Sequence, residues 1–237
     1  MAKVILFKNN KGGVGKSLLC FWTAHILSTL SKSKDRKNKV LILTSDSQNN
    51  IMQMAGVKSG YGDGLQGYID GRGSDLIRLR KDLFYIPLTS TGIKRTFETR
   101  FLDVIEIFKT QYDYILIDGS PVLKLDNIFL EVSDKVVIPT FLDKVTTKGM
   151  INLIREVGVN KVALIVPNRV GKSKMEREHL NKLKKSLEGV GAAITDPIYQ
   201  TLKIMQLTEK SKTIMETKSK QYNEIKQIFA KIVKAVM

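Results

Sequence analysis

The chain has 237 residues, 43% of them hydrophobic, with a formal net charge of +16 at pH 7. That is enough apolar material for one sizeable core in a single domain, and no apolar run approaches the roughly 18 residues a membrane-spanning helix needs. A lone cysteine, Cys20, excludes an internal disulfide, and no secretory signal precedes the first apolar segment, so the cytoplasm is the expected compartment.

Short apolar runs alternate with longer helical patterns, which predicts an α/β fold with a mostly parallel, twisted sheet flanked by helices. Lys3 to Phe7 reads as the first strand and Lys16 to Leu30 as the helix leaving a glycine-rich loop. Val40 to Leu43 reads as the second strand, entered through the charged turn KSKDRKNK. The six glycines between Gly60 and Gly73 predict a mobile surface segment. Leu83 to Pro87 is the third predicted strand. Thr96 to Gln111 places Phe101, Val104, Ile105 and Phe108 on one helical face. Tyr114 to Ile117, Lys135 to Ile138 and Val162 to Val166 read as further strands. Two helices follow, Leu202 to Thr217 and Gln221 to Val236.

The loop between the first strand and helix carries the chemistry. In FKNNKGGVGKSLLC, two lysines, Lys11 and Lys16, stand five residues apart, and Asn10 occupies the position where the usual G-x-x-x-x-G-K-[ST] pattern has its first glycine. Gly12, Gly13 and Gly15 let backbone N–H groups approach an anion, and the following helix points its positive end at the same place. Lys16 then suits β- and γ-phosphate oxygens, and the Ser17 hydroxyl suits Mg²⁺. Asp118 closes the apolar run YDYILID, which brings its carboxylate to the carboxyl edge of the sheet, placed for a Mg²⁺-bound water. Asp46, just past the second strand, emerges at the same edge, placed to orient or deprotonate an attacking water. Asp113 reads as a surface residue at the start of its strand.

Taken together, Lys11-Gly-Gly-Val-Gly-Lys16-Ser17, Asp46-Ser47-Gln48 and Tyr114-Ile-Leu-Ile-Asp118 resemble the deviant Walker motifs of ParA/MinD-type ATPases, closest to the small ParA proteins of DNA partition. The resemblance covers nearly the whole chain, 1–237, as one P-loop NTPase domain of the SIMIBI-like kind, starting at its first strand without an upstream helix-turn-helix domain. It implies ATP and Mg²⁺ as cofactors, held by Lys11, Gly12, Gly13, Val14, Gly15, Lys16, Ser17 and Leu18, with Asp118 near the metal and Asn168 of VPNRV at the adenine. It also implies that Lys11 reaches across an ATP-dependent homodimer to the partner's phosphates while Lys16 serves its own nucleotide, with Asp46 at the attacking water. The glutamine Gln48 favours the ParA branch, whose pattern is D-x-D-P-Q. Here Thr44 replaces the first aspartate and Ser47 the proline, and Gly119-Ser120-Pro121 departs from the commoner D-x-P-P, changes that bear on hydrolysis rate and switch-loop conformation.

The last third of the chain, 161–237, holds sixteen Lys and Arg against seven Asp and Glu, a surface suited to polyanions. Lys172, Lys174, Arg177, Lys182, Lys184 and Lys185, with Lys203, Lys210, Lys212, Lys218 and Lys220, are the candidates for non-specific double-stranded DNA on the nucleoid. The resemblance adds a ParB-like centromere-binding adaptor as partner. His25 and His179 lack Cys or His neighbours at zinc spacing. Cys20 reads as core packing, and Ile204, Met205, Leu207, Ile214 and Met215 read as packing on the sheet or on a partner subunit. The last helix repeats Tyr222, Ile225, Phe229, Ile232 and Val236 at three- and four-residue steps, which fits docking on the core. Being basic and amphipathic, it also fits the alternative of a MinD-like, membrane-associated ATPase, as does a basic surface that suits anionic lipid.

Overall fold

The computed structural model describes residues 1–73, 75–89, 97–120 and 123–237, without the side chains of 123–124 and 144–148. Its centre is an eight-stranded sheet built from β1 (Lys3–Phe7), β2 (Val40–Thr44), β3 (Ile77–Arg80), β4 (Leu83–Ile86), β5 (Tyr114–Asp118), β6 (Lys135–Thr140), β7 (Val162–Val170) and β8 (Ile198–Tyr199). The strands lie in the order β3-β4-β2-β5-β1-β6-β7-β8, and every pair is parallel except β3 with β4.

Because successive side chains point to opposite faces, each central strand supplies two cores. Val4, Leu6, Leu41, Leu43, Ile115 and Ile117 face one layer, which includes α3 (Gly64–Ile69), α4 (Phe97–Gln111), α5 (Leu123–Val132), α6 (Lys144–Val157) and α7 (Lys174–Glu188). Ile5, Phe7, Val40, Ile42 and Leu116 face the other, formed chiefly by α1 (Lys16–Thr29), α2 (Asn50–Ala55), α8 (Leu202–Glu209) and α9 (Asn223–Val236). Helix α9 turns Ile225, Ile228, Phe229, Ile232, Val233 and Val236 inward, and the Phe229 ring lies 5.4 Å from that of Trp22 on α1.

Several elements differ from the sequence expectation. The Gly60 to Gly73 segment holds a helical turn, α3, whose Leu65 and Ile69 are buried. Gly64, Gly67 and Gly73 serve close packing: a Cβ on Gly64, which has a φ of +54°, would lie 2.2 Å from the Pro87 carbonyl oxygen. Strand β3 was not anticipated, although Ile77 and Leu79 alternate inward with Arg78 and Arg80. The predicted helix Leu202 to Thr217 ends at Glu209. Ser211 then takes a left-handed φ of +52°, and Thr213 and Glu216 form a capping box that starts a separate 3-10 turn, Ile214–Glu216. Leu207 and Ile214 are buried and Ile204 partly so, whereas Met205 and Met215 are exposed. Asp113 is no loose surface group, for it binds Arg36 and the Lys39 amide and fastens the turn before β2. Thr96 and Pro121 lie outside the described residues.

Candidate functional site

The strand register assembles the site. Phe7 pairs with Asp118 across β1 and β5, and Thr44 pairs with the same Asp118 across β2 and β5. The glycine loop after β1, Asp118 at the end of β5 and Asp46 after β2 therefore leave one edge together, the carboxyl edge where ligands bind in open parallel sheets. Asn9 fixes the start of the loop, donating from Nδ2 to the Pro139 carbonyl at 2.6 Å and accepting from the Lys11 amide at 2.8 Å. Gly13 and Gly15 have φ values of +74° and +96°. A Cβ on Gly15 would lie 2.1 Å from Asn168 Nδ2, so only glycine lets the loop pass that side chain.

The two lysines part company. Lys16 is buried and turns its Nζ back onto the Lys11 carbonyl at 3.0 Å, whereas Lys11 is partly exposed, paired to Asp143 at 2.7 Å, with its Nζ 5.2 Å from the centre of the Phe141 ring. Burial lowers the Lys16 pKa, against the raising effect of Asp118, Asp126 and Asp46. Asp118 is fully buried and its carboxyl is pushed up to about 7, chiefly by desolvation and further by Asp46, against a hydrogen bond with Ser17 and the charge of Lys16.

Asp46 is held by its own neighbours. Its Oδ1 accepts from the Gln48 amide at 3.0 Å, its Oδ2 accepts from Asn50 Nδ2 at 3.0 Å, and its amide donates to Thr44 Oγ1 at 2.9 Å. Ser45 and Ser120 clamp the ends of β2 and β5, the Ser120 amide donating to Ser45 Oγ and Ser120 Oγ to the Ser45 carbonyl. A Cβ on Gly119 would lie 2.8 Å from the Phe7 carbonyl oxygen, so glycine is required beside β1.

These groups border a cavity of about 650 Å³ that includes Gly12, Lys16, Ser17, Asp46 and Asp118. A second cavity of about 310 Å³ shares Gly13, Gly15, Leu18, Thr208 and Glu209 with it and adds Asn168 and Tyr199. Val14 is buried and its carbonyl accepts from Asn168 Nδ2 at 2.8 Å. Among the described residues five buried side-chain oxygens lack a hydrogen-bond partner, and two of them, Asp118 Oδ1 and Asn168 Oδ1, belong to residues that line these cavities. Buried acceptors are normally satisfied, so one in each cavity marks places for ligand groups, a cation near Asp118 and a donor near Asn168. A Cβ on Gly12 would meet nothing within 4 Å, leaving the loop open to an incoming anion. The residues fit a nucleoside triphosphate with Mg²⁺.

Sequence reasoning missed a buried ion cluster beneath the loop. Lys8, directly after β1, places Nζ 2.5 Å from Asp126 on α5 and 3.3 Å from Glu156 on α6. A lysine after an apolar strand reads as solvated, and nothing local gives its partners away. The basic candidates divide into groups. Lys172 and Arg177 border one groove at the start of α7, Lys172 and Lys203 border the next, and Lys210 and Lys212 lie at the far end of α8 beside Ser211 of the large cavity. Lys174, Lys182, Lys184 and Lys185 ride on α7, whose Leu183 and Leu187 face inward. His25 Nδ1 pairs with Thr213 Oγ1 at 2.6 Å, and Cys20 is fully buried.

The CobQ/CobB/MinD/ParA nucleotide binding domain matches residues 5–214. The chain belongs to this family. Within the CobQ/CobB/MinD/ParA family, the sporulation initiation inhibitor protein Soj of Bacillus subtilis (strain 168) is 30% identical over 173 residues, 66% of this chain and 65% of Soj. The chain spans 62% to 65% of the length of the curated relatives it matches. Among solved structures, McdA of Cyanothece superposes with a TM-score of 0.82 in its apo form, at 16% identity over the whole of both chains, and 0.79 in its complex with ATP. A plasmid partition protein from Borrelia burgdorferi gives a TM-score of 0.69 at 20% identity, over 99% of this chain and all of that one. At such identities these likenesses establish the shared P-loop fold. Among the described residues no helix is long and apolar enough to cross a membrane.

Proposed function

We propose that this chain is an ATPase of DNA partition, whether of plasmid, chromosome or another large assembly, that dimerises in its ATP state, binds non-specific double-stranded DNA and releases it on hydrolysis. The observation that carries the reading is the opposite disposition of the two loop lysines. Lys16 is turned into its own cavity, and Lys11 sits on the outer side of the loop beside Asp143 and Phe141. A protein that acts alone on its own nucleotide has no evident use for the second.

Bound ATP supplies the phosphoryl group, and Mg²⁺ neutralises its charge. The chain's own residues do the rest. Gly12, Gly13, Val14 and Gly15 offer main-chain N–H groups, Lys16 neutralises β- and γ-oxygens, and Ser17 and Asp118 hold the metal. Leu18 lines the nucleoside end, and Asn168 Oδ1, without a hydrogen-bond partner among the described residues, accepts from the base amine. Asp46, oriented by Gln48 and Asn50, directs or deprotonates the attacking water. Two basic loops facing each other repel, and the roughly four negative charges of each ATP turn that repulsion into attraction, so Lys11 joins the dimer only when the nucleotide is present. Lys172, Arg177 and Lys203, which border two grooves that share Lys172, are the candidates for DNA phosphates, with a ParB-like adaptor as the stimulating partner and the nucleoid as the site of action. Helix α9 buries its apolar face against Trp22, which weighs against the MinD-like membrane alternative.

The test is the binding of unrelated DNA duplexes in ATP and in ADP at several salt concentrations, with light scattering on the parent and on Lys11→Ala. The parent should dimerise and bind DNA tightly in ATP only, with a steeper dependence on salt because more phosphates are neutralised at once. Lys11→Ala should bind ATP and remain monomeric. Equal DNA affinity in both nucleotides, or a Lys11→Ala dimer, would refute the scheme; binding of anionic liposomes without DNA binding would favour the membrane reading.

A further inference from the structure

The loop that carries Asp46 is anchored by a residue to which none of the motifs assigns a role. Asn49 is buried, with φ +49° and ψ +41°, the left-handed region that asparagine tolerates better than other side chains. Its side chain is a hub. Oδ1 accepts from the Tyr85 hydroxyl at 2.7 Å and from the Leu88 amide at 3.0 Å. Nδ2 lies 2.9 Å from the Leu88 carbonyl, 3.0 Å from the Ser47 carbonyl and 3.0 Å from the Tyr61 hydroxyl. The two-point contact with Leu88 copies a strand pairing and fixes which way the amide faces, since a flipped amide would set its oxygen against two carbonyls. The Asn49 amide also donates to the Asp46 carbonyl at 3.1 Å. The turn from Asp46 to Asn50 is thereby tied to the segment after β4 and, through Tyr61, to the glycine-rich segment.

Building on the assignment of Asp46 to the attacking water, we infer that Asn49 is a positioning residue that holds the Asp46 carboxylate in its productive place. Asp46 accepts from the residues on either side of Asn49, Gln48 through its main chain and Asn50 through its side chain. Both donors are set by the backbone at Asn49, so the hub acts on the carboxylate through two hydrogen bonds at once. Tyr61 is partly exposed and forms the outer tie of the hub.

Asn49→Gly keeps the left-handed backbone accessible and removes the five side-chain contacts. In the nucleotide-free protein, amide hydrogen exchange across 45–52 should accelerate about tenfold or more, with the phosphate loop unchanged. Basal hydrolysis of Mg²⁺-ATP should fall on the order of 10- to 100-fold, the scale of a misplaced catalytic group, while ATP affinity stays within about twofold. In an Asp46→Ala background the second change should slow hydrolysis no further, because a residue acting through Asp46 has nothing left to position. Multiplied losses in the double variant would overturn the role of Asn49 and leave Asp46 standing; parental hydrolysis by Asp46→Ala would overturn both. If Asn49→Gly does not melt cooperatively, Tyr61→Phe decides. A roughly threefold fall in turnover at unchanged melting temperature and ATP affinity supports the inference, and a parental rate overturns it.

Discussion

Asp118 combines full burial, an Oδ1 with no hydrogen-bond partner among the described residues and a carboxyl pushed up to about 7, a costly arrangement for a group that only folds the chain. The informative perturbation is Asp118→Asn, which keeps the shape and removes the charge. Without nucleotide or metal, both folded and unfolded chains are protonated at this position below about pH 4. Between the ordinary aspartate value of 3.8 and about 7 only the unfolded chain releases the proton, so stability falls as pH rises by about 1.4 kcal/mol per unit and levels off above 7. The accumulated penalty at pH 8 is about 4 kcal/mol, of which the asparagine gives back part, because a buried amide carries a desolvation cost of its own. The net expectation is a gain of roughly 2 to 4 kcal/mol at pH 8, or about 10 °C in melting temperature for a chain of this size, turning at pH 4 into a loss of up to about 2 kcal/mol, the asparagine's own cost. Urea unfolding of both proteins at pH 4, 6 and 8 in EDTA measures it. Adding Mg²⁺ and ATP should reverse the ranking, since only the parent then gains from binding. Identical pH slopes in parent and variant would show that Asp118 is already satisfied, and the reasoning from its buried oxygen would fail.

Lys16→Ala should weaken ATP binding by on the order of 100-fold, because charge-assisted hydrogen bonds to phosphate are lost with the ammonium; titration calorimetry showing parental affinity would remove Lys16 from the site. Phe229→Ala should cost about 3 to 5 kcal/mol in urea unfolding, since the ring is wholly buried against Trp22. A loss below about 1 kcal/mol would mean that α9 is not docked and would return it to the list of candidate membrane helices.

What the sequence disclosed depended on how local the signal was. The glycine loop is made by consecutive residues between one strand and one helix, so its place between β1 and α1 could be read directly, and the placing of Asp118 and Asp46 at the same sheet edge followed from the apolar runs that end beside them. The sheet was legible because its strands are buried on both faces and stand out as unbroken apolar runs. Lys8 with Asp126, 118 residues apart in the chain, was not, because nothing in either neighbourhood encodes the other. The helical turn α3 was hidden for a different reason: a glycine needed for close approach, such as Gly64 or Gly67, and one that loosens a loop look alike without a neighbour. The end of α8 was written in the chain, as Thr213 and Glu216 at capping-box spacing, but the apolar steps Leu207 and Ile214 outweighed it.

The departures from the ParA pattern also make sense together. Where that pattern has an aspartate, Thr44 offers an oxygen at the same place in the chain, and Asp46 uses it as the acceptor for its amide. Ser120, in the segment that departs from the commoner proline pair, bonds to Ser45, so the strand end that carries Asp46 is fastened to the strand end that carries Asp118. Each such hydrogen bond contributes only about 1 kcal/mol, yet all act on the few residues between the two carboxylates, where a shift of an ångström changes the chemistry more than the stability. The main-chain register of β2 on β5 sets the separation of the two acids. Thr44, Ser45 and Ser120 then hold the short loops that leave those strands, which is why a chain can exchange the flanking residues of both motifs and keep Asp46 and Asp118 facing one cavity.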